Sequence, residues 1–300
     1  MLLKYEKIFG EPVPKQEVHA PLEPGDHPEL DESPLCNDAQ ILQYQSMIGD
    51  FQWAVSLGRM DIYCATVTLS QFRSAPRIGH LNRAKRIYKF LRNYKKTSIK
   101  FRTEMPDYSH LSPYKPDFGH VYNSTAEEFD PDTRTARGKP ILTTTFVDAN
   151  LLFDMITGKS ATGIIHLLNK TPIDWFCKKQ STIETATYGS EFTALKTAVE
   201  QLIALRSELR YFGVPIPGPS IIFCDNKAVV DTSMNASYRL KKRHNILAFH
   251  RVRSAIAADI CRCYHIEGTQ NPADILTKHR SSREWYELMK PLIFWSWRDG

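Results

Sequence analysis

The sequence lacks any apolar run approaching the roughly 20 residues that cross a bilayer, so no membrane helix is expected. Its first residues, "MLLKYEKIFGEPVPK", carry charge where a secretory leader needs an apolar segment, which points to an intracellular, unsecreted protein. Cys36, Cys64, Cys177, Cys224, Cys261 and Cys263 include no Cys-x-x-Cys pair; only Cys261 and Cys263 are close, and in a strand they share a face. That spacing argues against a disulfide framework or a zinc site and for buried thiols in a reducing compartment. A strong charge of either sign is missing too. The formal net charge of +6 permits a nucleic-acid partner without requiring one.

What is present divides the 300 residues into stretches of different character. Residues 1–39 form an extended segment rich in proline and acids, with almost no apolar periodicity, and are expected to be solvated. Residues 40–102 turn helical: Ile41, Tyr44, Ile48, Phe51, Ala54 and Val55 recur at three- and four-residue spacing. "GHLNRAKRIYKFLRNYKK" is amphipathic, with Leu81, Ala84, Ile87, Tyr88 and Leu91 on one side and a basic face opposite. Residues 103–140 read as a linker or a long meandering connection, and 284–300 as a C-terminal tail. Between them, 141–283 read as α/β. Strands are expected at 142–148, 161–168, 172–177, 219–224 and 260–267, and helices at about 188–212, 226–232, 240–258 and 272–279. Three opening strands that can pair as a meander, followed by alternating helices and strands, predict a mixed sheet covered by helices.

Four acids occupy distinctive places in this pattern. Asp148 and Asp225 each end an apolar β run, "TTTFVD" and "SIIFCD". Glu191 lies on the apolar stripe of the long helix that continues through Leu195, Ala198 and Leu202, where a carboxylate is costly unless neutralised. Asp274 follows Asn271 and Pro272, a cap and a first-turn proline. Each has an ordinary role open to it: Asp148 can start a turn, Asp225 can cap a helix beginning at Asn226, and Asp274 can complement a helix dipole. Taken together they fit phosphodiester hydrolysis, in which two Mg²⁺ ions roughly 4 Å apart need several converging carboxylates.

The stretches "FVDAN", "DWFCKKQSTIETATYGSEFTAL", "FCDNKAVV", "KKRHNILAFHRVR" and "NPADILTK" resemble the ribonuclease H (RNase H) domain of copia-type retrotransposon polyproteins. The segment from "YQSMIG" to "YKFLRNY" is similar to the helical region that follows the polymerase palm in the same polyproteins. The resemblance implies an RNase H-like fold, a five-stranded mixed sheet flanked by helices and preceded by a small helical region. It implies cleavage of the RNA strand of an RNA–DNA hybrid with two Mg²⁺, for which Mn²⁺ can substitute. Asp148, Glu191, Asp225 and Asp274 would be the catalytic, metal-holding set. "TATYGSE" departs from the family's doubled glutamate, which makes Glu184 a weaker rival to Glu191.

The loop "GTQNPAD" has no histidine, so no catalytic histidine is assigned; His244 and His250 are expected to pack or touch backbone. The family's Y-x-D-D polymerase turn does not occur, so polymerase activity is not expected in this chain, and the upstream polymerase part of the polyprotein would be a partner. The resemblance also implies a cytoplasmic (virus-like particle) or nuclear setting. Hybrid contact is expected from Lys178, Lys179, Gln180, Asn226, Lys241, Lys242, Arg243, Arg251 and Arg253, with the basic helix at 82–96 as a second surface. The alternative is a catalytically inactive nucleic-acid-binding remnant.

Overall fold

Strand-favouring, β-branched runs build the sheet on which everything else rests. The computed structural model describes residues 1–122, 126–129, 131–240 and 243–295. β2 (Thr143–Asp154), β3 (Lys159–Leu168) and β4 (Thr171–Lys179) form an antiparallel meander, because their connections are short turns. α5 (Thr187–Tyr211) carries the chain across the sheet to β5 (Ser220–Cys224), parallel to β2. α6 (Lys227–Met234) and α7 (Ile246–Ala257) lead to β6 (Cys261–His265), parallel to β5. The order β4-β3-β2-β5-β6 is the five-stranded mixed sheet expected. The segment expected as a helix at 272–279 is instead a 3-10 turn, Pro272–Leu276.

Alternation along the strands sends side chains to two cores. On one face Val147, Ile164, Ile222 and Cys224 meet Leu195, Ala198 and Leu202 of α5 and Val252 and Ile256 of α7. On the other, Ile165, Leu167 and Cys177 meet the helical region: α1 (Leu2–Phe9), α2 (Asp38–Ser56), α3 (Tyr63–Ser70) and α4 (Ile78–Asn93). The helical region is therefore the second cover of the sheet, and one apolar cluster runs through both.

Two stretches differ from their sequence reading, and a third, 103–140, takes one of the two forms open to it. Residues 1–39 are docked rather than solvated, with Val13, Val18, Ala20 and Leu22 buried. Their acids neutralise the basic face of α4: Arg83 reaches Asp26 at 2.8 Å and Asp31 at 2.5 Å, and Arg86 reaches Glu23 at 2.6 Å. That face is engaged by protein, which removes much of the charge expected to grip a nucleic acid. The described residues of 103–140, irregular apart from a 3-10 turn at Gly119–Val121, form an anchored meandering connection. Glu127 pairs at 2.7 Å with Arg206, an arginine only 1% exposed, and the Tyr108 ring meets Phe223 edge-on. Of the expected tail, 296–300 lie outside the described residues, and 284–295 fold back within α8 (Ser282–Met289) and β7 (Ile293–Trp295), which pairs antiparallel with β1 (Thr97–Ile99).

One glycine sets the spacing of the site. Gly163 pairs with Asp148 across β2 and β3. A Cβ there would lie 2.7 Å from Thr277 Cγ2 and 2.8 Å from the Ala273 carbonyl. Its bare Cα thus lets the 3-10 turn settle directly on the sheet beside Asp148. Gly163→Ala is expected to cost about 1–3 kcal/mol by overpacking, read as a lower urea midpoint at unchanged slope. An unchanged midpoint would mean that the turn has room to move.

Candidate active site

Four carboxylates meet where β2, the start of α5, the end of β5 and the 3-10 turn come together. Asp148 sits in β2, fully buried; its Oδ2 accepts from the Thr277 hydroxyl, and its Oδ1 lies 3.3 Å from Lys278 Nζ. Asp225 follows the last residue of β5, half-buried, with its carboxylate close to that of Asp148. Glu191, one turn into α5, is buried; it accepts from the Ala149 backbone, while its Oε2 has no hydrogen-bond partner among the described residues. Asp274 is buried on the 3-10 turn, where Lys278 reaches it at 2.5 Å and Arg280 at 2.6 and 2.8 Å. Asn271 fastens this turn to the sheet: its side chain caps Ala273 N–H, and its Nδ2 donates to the Val147 carbonyl at 2.9 Å.

The electrostatics separate three acids from the fourth. Burial pushes Asp148 up to about 6, and the neighbouring Asp274 and Asp225 charges add to the rise while Lys278 opposes it. Burial likewise holds Glu191 well above the usual carboxylate range, with Asp148 and Asp225 contributing. Asp225 is raised mainly by burial. Burial would raise Asp274 as well, but Arg280 and Lys278 outweigh it and hold that carboxyl below its ordinary value. Three carboxyls therefore resist ionisation in one place, and one of them offers a buried oxygen with no partner among the described residues. Such a set fits a divalent cation, which supplies the positive charge that burial withholds.

Around this cluster the expected contact residues fall into two groups. Lys178, Arg243 and Arg251 are exposed, Arg251 lying 4.0 Å from Glu200. Lys179, Gln180, Asn226 and Arg253 are engaged within the fold instead. Lys179 is taken up by Asp154 at 2.7 Å and Gln71 at 2.5 Å. Gln180 is buried, donating to Thr162 Oγ1 and the Ser190 carbonyl. Asn226 caps α6 by accepting from Val229 N–H. Arg253 is 6% exposed and stacks on Phe118 at 4.6 Å and Phe249 at 4.5 Å, so it packs rather than reaching outward. Lys241 and Lys242 lie outside the described residues. Glu184 is engaged with His244 at 3.1 Å, packed on Gly189, while Glu191 faces Asp148 and Asp225. His250 Nδ1 meets the Tyr122 hydroxyl, consistent with a packing role.

No family model matches the chain. It is 24% identical over 250 residues, 83% of its length, to the retrovirus-related Pol polyprotein from transposon TNT 1-94 of Nicotiana tabacum. With that from transposon RE2 of Arabidopsis thaliana it shares 23% over 236 residues. The chain is similar to Pol polyproteins of copia-type transposons. It spans 16% and 14% of the lengths of these two relatives. Among solved structures, the N-terminal RNase H domain of a Mycobacterium tuberculosis protein superposes with a TM-score of 0.36 at 12% identity, covering 50% of this chain and 97% of that one. The foamy viral protease-reverse transcriptase in complex with RNA/DNA hybrid gives 0.32 at 17% identity, covering 59% and 24%.

Lys278 and Arg280 were not singled out from the sequence. The signal was available: Lys278 closes "ADILTK", four residues after Asp274, and a helical turn there brings the pair together. His265 ends β6. Its ring Nε2 sits 3.1 Å from the Asp225 carbonyl, so an exposed histidine borders the cluster even though the loop before Asp274 has none.

The pKa shifts have a testable sign. Asp148 moves from the ordinary 3.8 to about 6 on folding, so the folded chain holds the extra proton between these values. Its contribution to stability is full below the lower value and is lost as pH rises through about 6. Asp274 is shifted the other way, so its contribution is present above the ordinary value and lost on acidification. The metal-free chain is therefore expected to lose part of its urea stability between about pH 4 and pH 7 through Asp148, and millimolar Mg²⁺ to restore it at the upper end. A metal-free stability that rises across the whole window would contradict the shift.

Proposed function

We propose that this chain is the RNase H part of a copia-type reverse transcriptase, hydrolysing the RNA strand of RNA–DNA hybrids. The observation that carries the reading is the buried cluster of Asp148, Glu191, Asp225 and Asp274, with an unpartnered Glu191 oxygen. Asp148, Glu191, Asp225 and Asp274 would hold two Mg²⁺, or Mn²⁺ in their place. When bound, the ions supply charge to the attacking water and the leaving oxygen. The chain's own contribution is positional. Asp148 is held by Thr277 from a rigid central strand, and Asn271 ties the Asp274 turn to that strand. Lys278 bridges Asp148 and Asp274, balancing part of their charge. Lys178, Arg243 and Arg251 are exposed cations available to phosphate backbones, a contact that carries no sequence preference. Among the described residues no helix is long and apolar enough to cross a membrane. The hybrid and the upstream polymerase part of the polyprotein are the proposed partners.

A second reading, a remnant that binds nucleic acid without cutting it, is favoured by one feature: both oxygens of Asp274 are occupied by Lys278 and Arg280. Incubating the purified chain with a hybrid labelled on its RNA strand separates the two. Cleavage that requires Mg²⁺ or Mn²⁺ and stops with chelator supports the nuclease. Retention of the hybrid with no cleavage in either metal overturns it in favour of the remnant.

A further inference from the structure

Beneath the carboxylates lies a thiol that the nuclease reading does not use. Cys224 ends β5 and is fully buried, on the face of the sheet covered by α5. Its Sγ, a carboxylate oxygen of Glu191 and one of Asp225 all lie within 4.8 Å of one another. Glu191 is 6% exposed, and its Oε2 finds no hydrogen-bond partner among the described residues. An oxygen left so in a dry place is costly, and here the nearest chemistry includes a sulfur. The other two thiols of this layer stand further back. Cys263 pairs with Ile222 and Cys261 with Ser220, away from the end of β5 that Asp225 follows.

This donor set differs in kind from an all-oxygen one. Mg²⁺ takes hard oxygen ligands, keeps several waters and gains nothing from sulfur. Zn²⁺ and other thiophilic divalent ions accept thiolate together with carboxylate at low coordination number. We propose that Cys224, Glu191 and Asp225 form a site for a thiophilic divalent cation, one that shares two carboxylates with the proposed Mg²⁺ centre and differs from it by the thiolate. On binding, the Cys224 S–H bond breaks, its electron pair forms the sulfur–metal bond, and the proton passes to solvent. No electron is transferred. Half-buried Asp225 provides the way in, since Cys224 itself has no exposed surface. The ion and Mg²⁺ exclude each other, which makes thiophilic metals inhibitors of the proposed nuclease rather than substitutes for its cofactor. Only this competition rests on the nuclease reading; the site itself does not.

Cadmium is the probe, because a thiolate bound to Cd²⁺ adds an ultraviolet charge-transfer band that carboxylates do not give. Titrating the reduced full chain with Cd²⁺ is expected to raise this band to saturation at one equivalent. Cys224→Ser and Cys224→Ala should abolish it, and Cys36→Ala, in the other core, should keep it. Glu191→Gln retains the thiol, so the band should persist with its midpoint raised by roughly tenfold or more. Mg²⁺ should raise the midpoint for the unaltered chain. A band that survives both Cys224 substitutions, or none in the unaltered chain, overturns the site. Unchanged circular dichroism of the variants excludes misfolding as the reason for a loss, and the Glu191→Gln midpoint tests the site with Cys224 intact. A chain that cuts hybrid with Mg²⁺ but gives no cadmium band refutes this inference alone. A band in a chain that never cuts refutes the nuclease reading alone.

Discussion

Asp148→Asn and Asp225→Asn are each expected to lower Mg²⁺-dependent hybrid cleavage by roughly a thousandfold or more, equivalent to about 4 kcal/mol of transition-state stabilisation. Asparagine fits where the carboxylate stood and can still accept from Thr277, so the fold has no reason to change. What disappears is one negative charge from a set whose members already hold one another's pKa values up. Single-turnover rates at saturating hybrid give the measurement. Glu184→Gln serves as the matched control: Glu184 is paired with His244, so its loss is expected to change the rate by less than about tenfold, within the reach of a displaced neighbour. A rate that falls with Glu184→Gln and survives Glu191→Gln would exchange the roles of these two residues.

The same substitution should act on stability in the opposite direction. Asp148 is buried beside two like charges and one lysine, so its ionised form is a cost to the metal-free fold. Replacing it with asparagine removes that cost near neutral pH and also removes the stabilisation that added Mg²⁺ provides. A site that weakens its own fold until it is loaded has the energetic form expected of function rather than of packing.

Legibility from sequence followed the range over which each residue acts. Asp148 and Asp225 could be read because a strand's apolar run and its end are adjacent in the chain. Glu191 could be read because a helix repeats every few residues and a carboxylate on the apolar stripe stands out. The five strands were legible for the same reason, although β2 runs on to Asp154. Arg253 failed that test. Its charge suggested a phosphate contact, but Phe118, 135 positions earlier by their numbers, stacks on it from a segment with no periodicity. The acidic N-terminal segment and the basic face of α4 were each noticed, and only the fold shows that they neutralise each other. Composition records the charges of such partners and says nothing of who meets whom.

The end of the chain is where that limit has its largest energetic consequence. Read alone, 284–300 was a tail, yet Trp295 is fully buried against Trp285, Tyr286 and Tyr94, with ring centroids 5.0, 5.5 and 6.1 Å away. Its strand closes on β1, and its cluster includes Ile275 and Leu276 of the turn that bears Asp274. Trp295→Ala is therefore expected to cost about 3–5 kcal/mol, the range for emptying a large aromatic site in a core. Trp295→Phe should cost less than about 1.5 kcal/mol, because it keeps the ring contacts and removes a buried indole N–H that has no hydrogen-bond partner among the described residues. Because the helical region and the sheet share this cluster, one cooperative urea transition should shift for both. A split into two transitions, with the sheet unaffected, would show that the tail belongs to the helical region alone. Loss of Mg²⁺ stabilisation in Trp295→Ala below its melting range would trace the same core to the Asp274 turn.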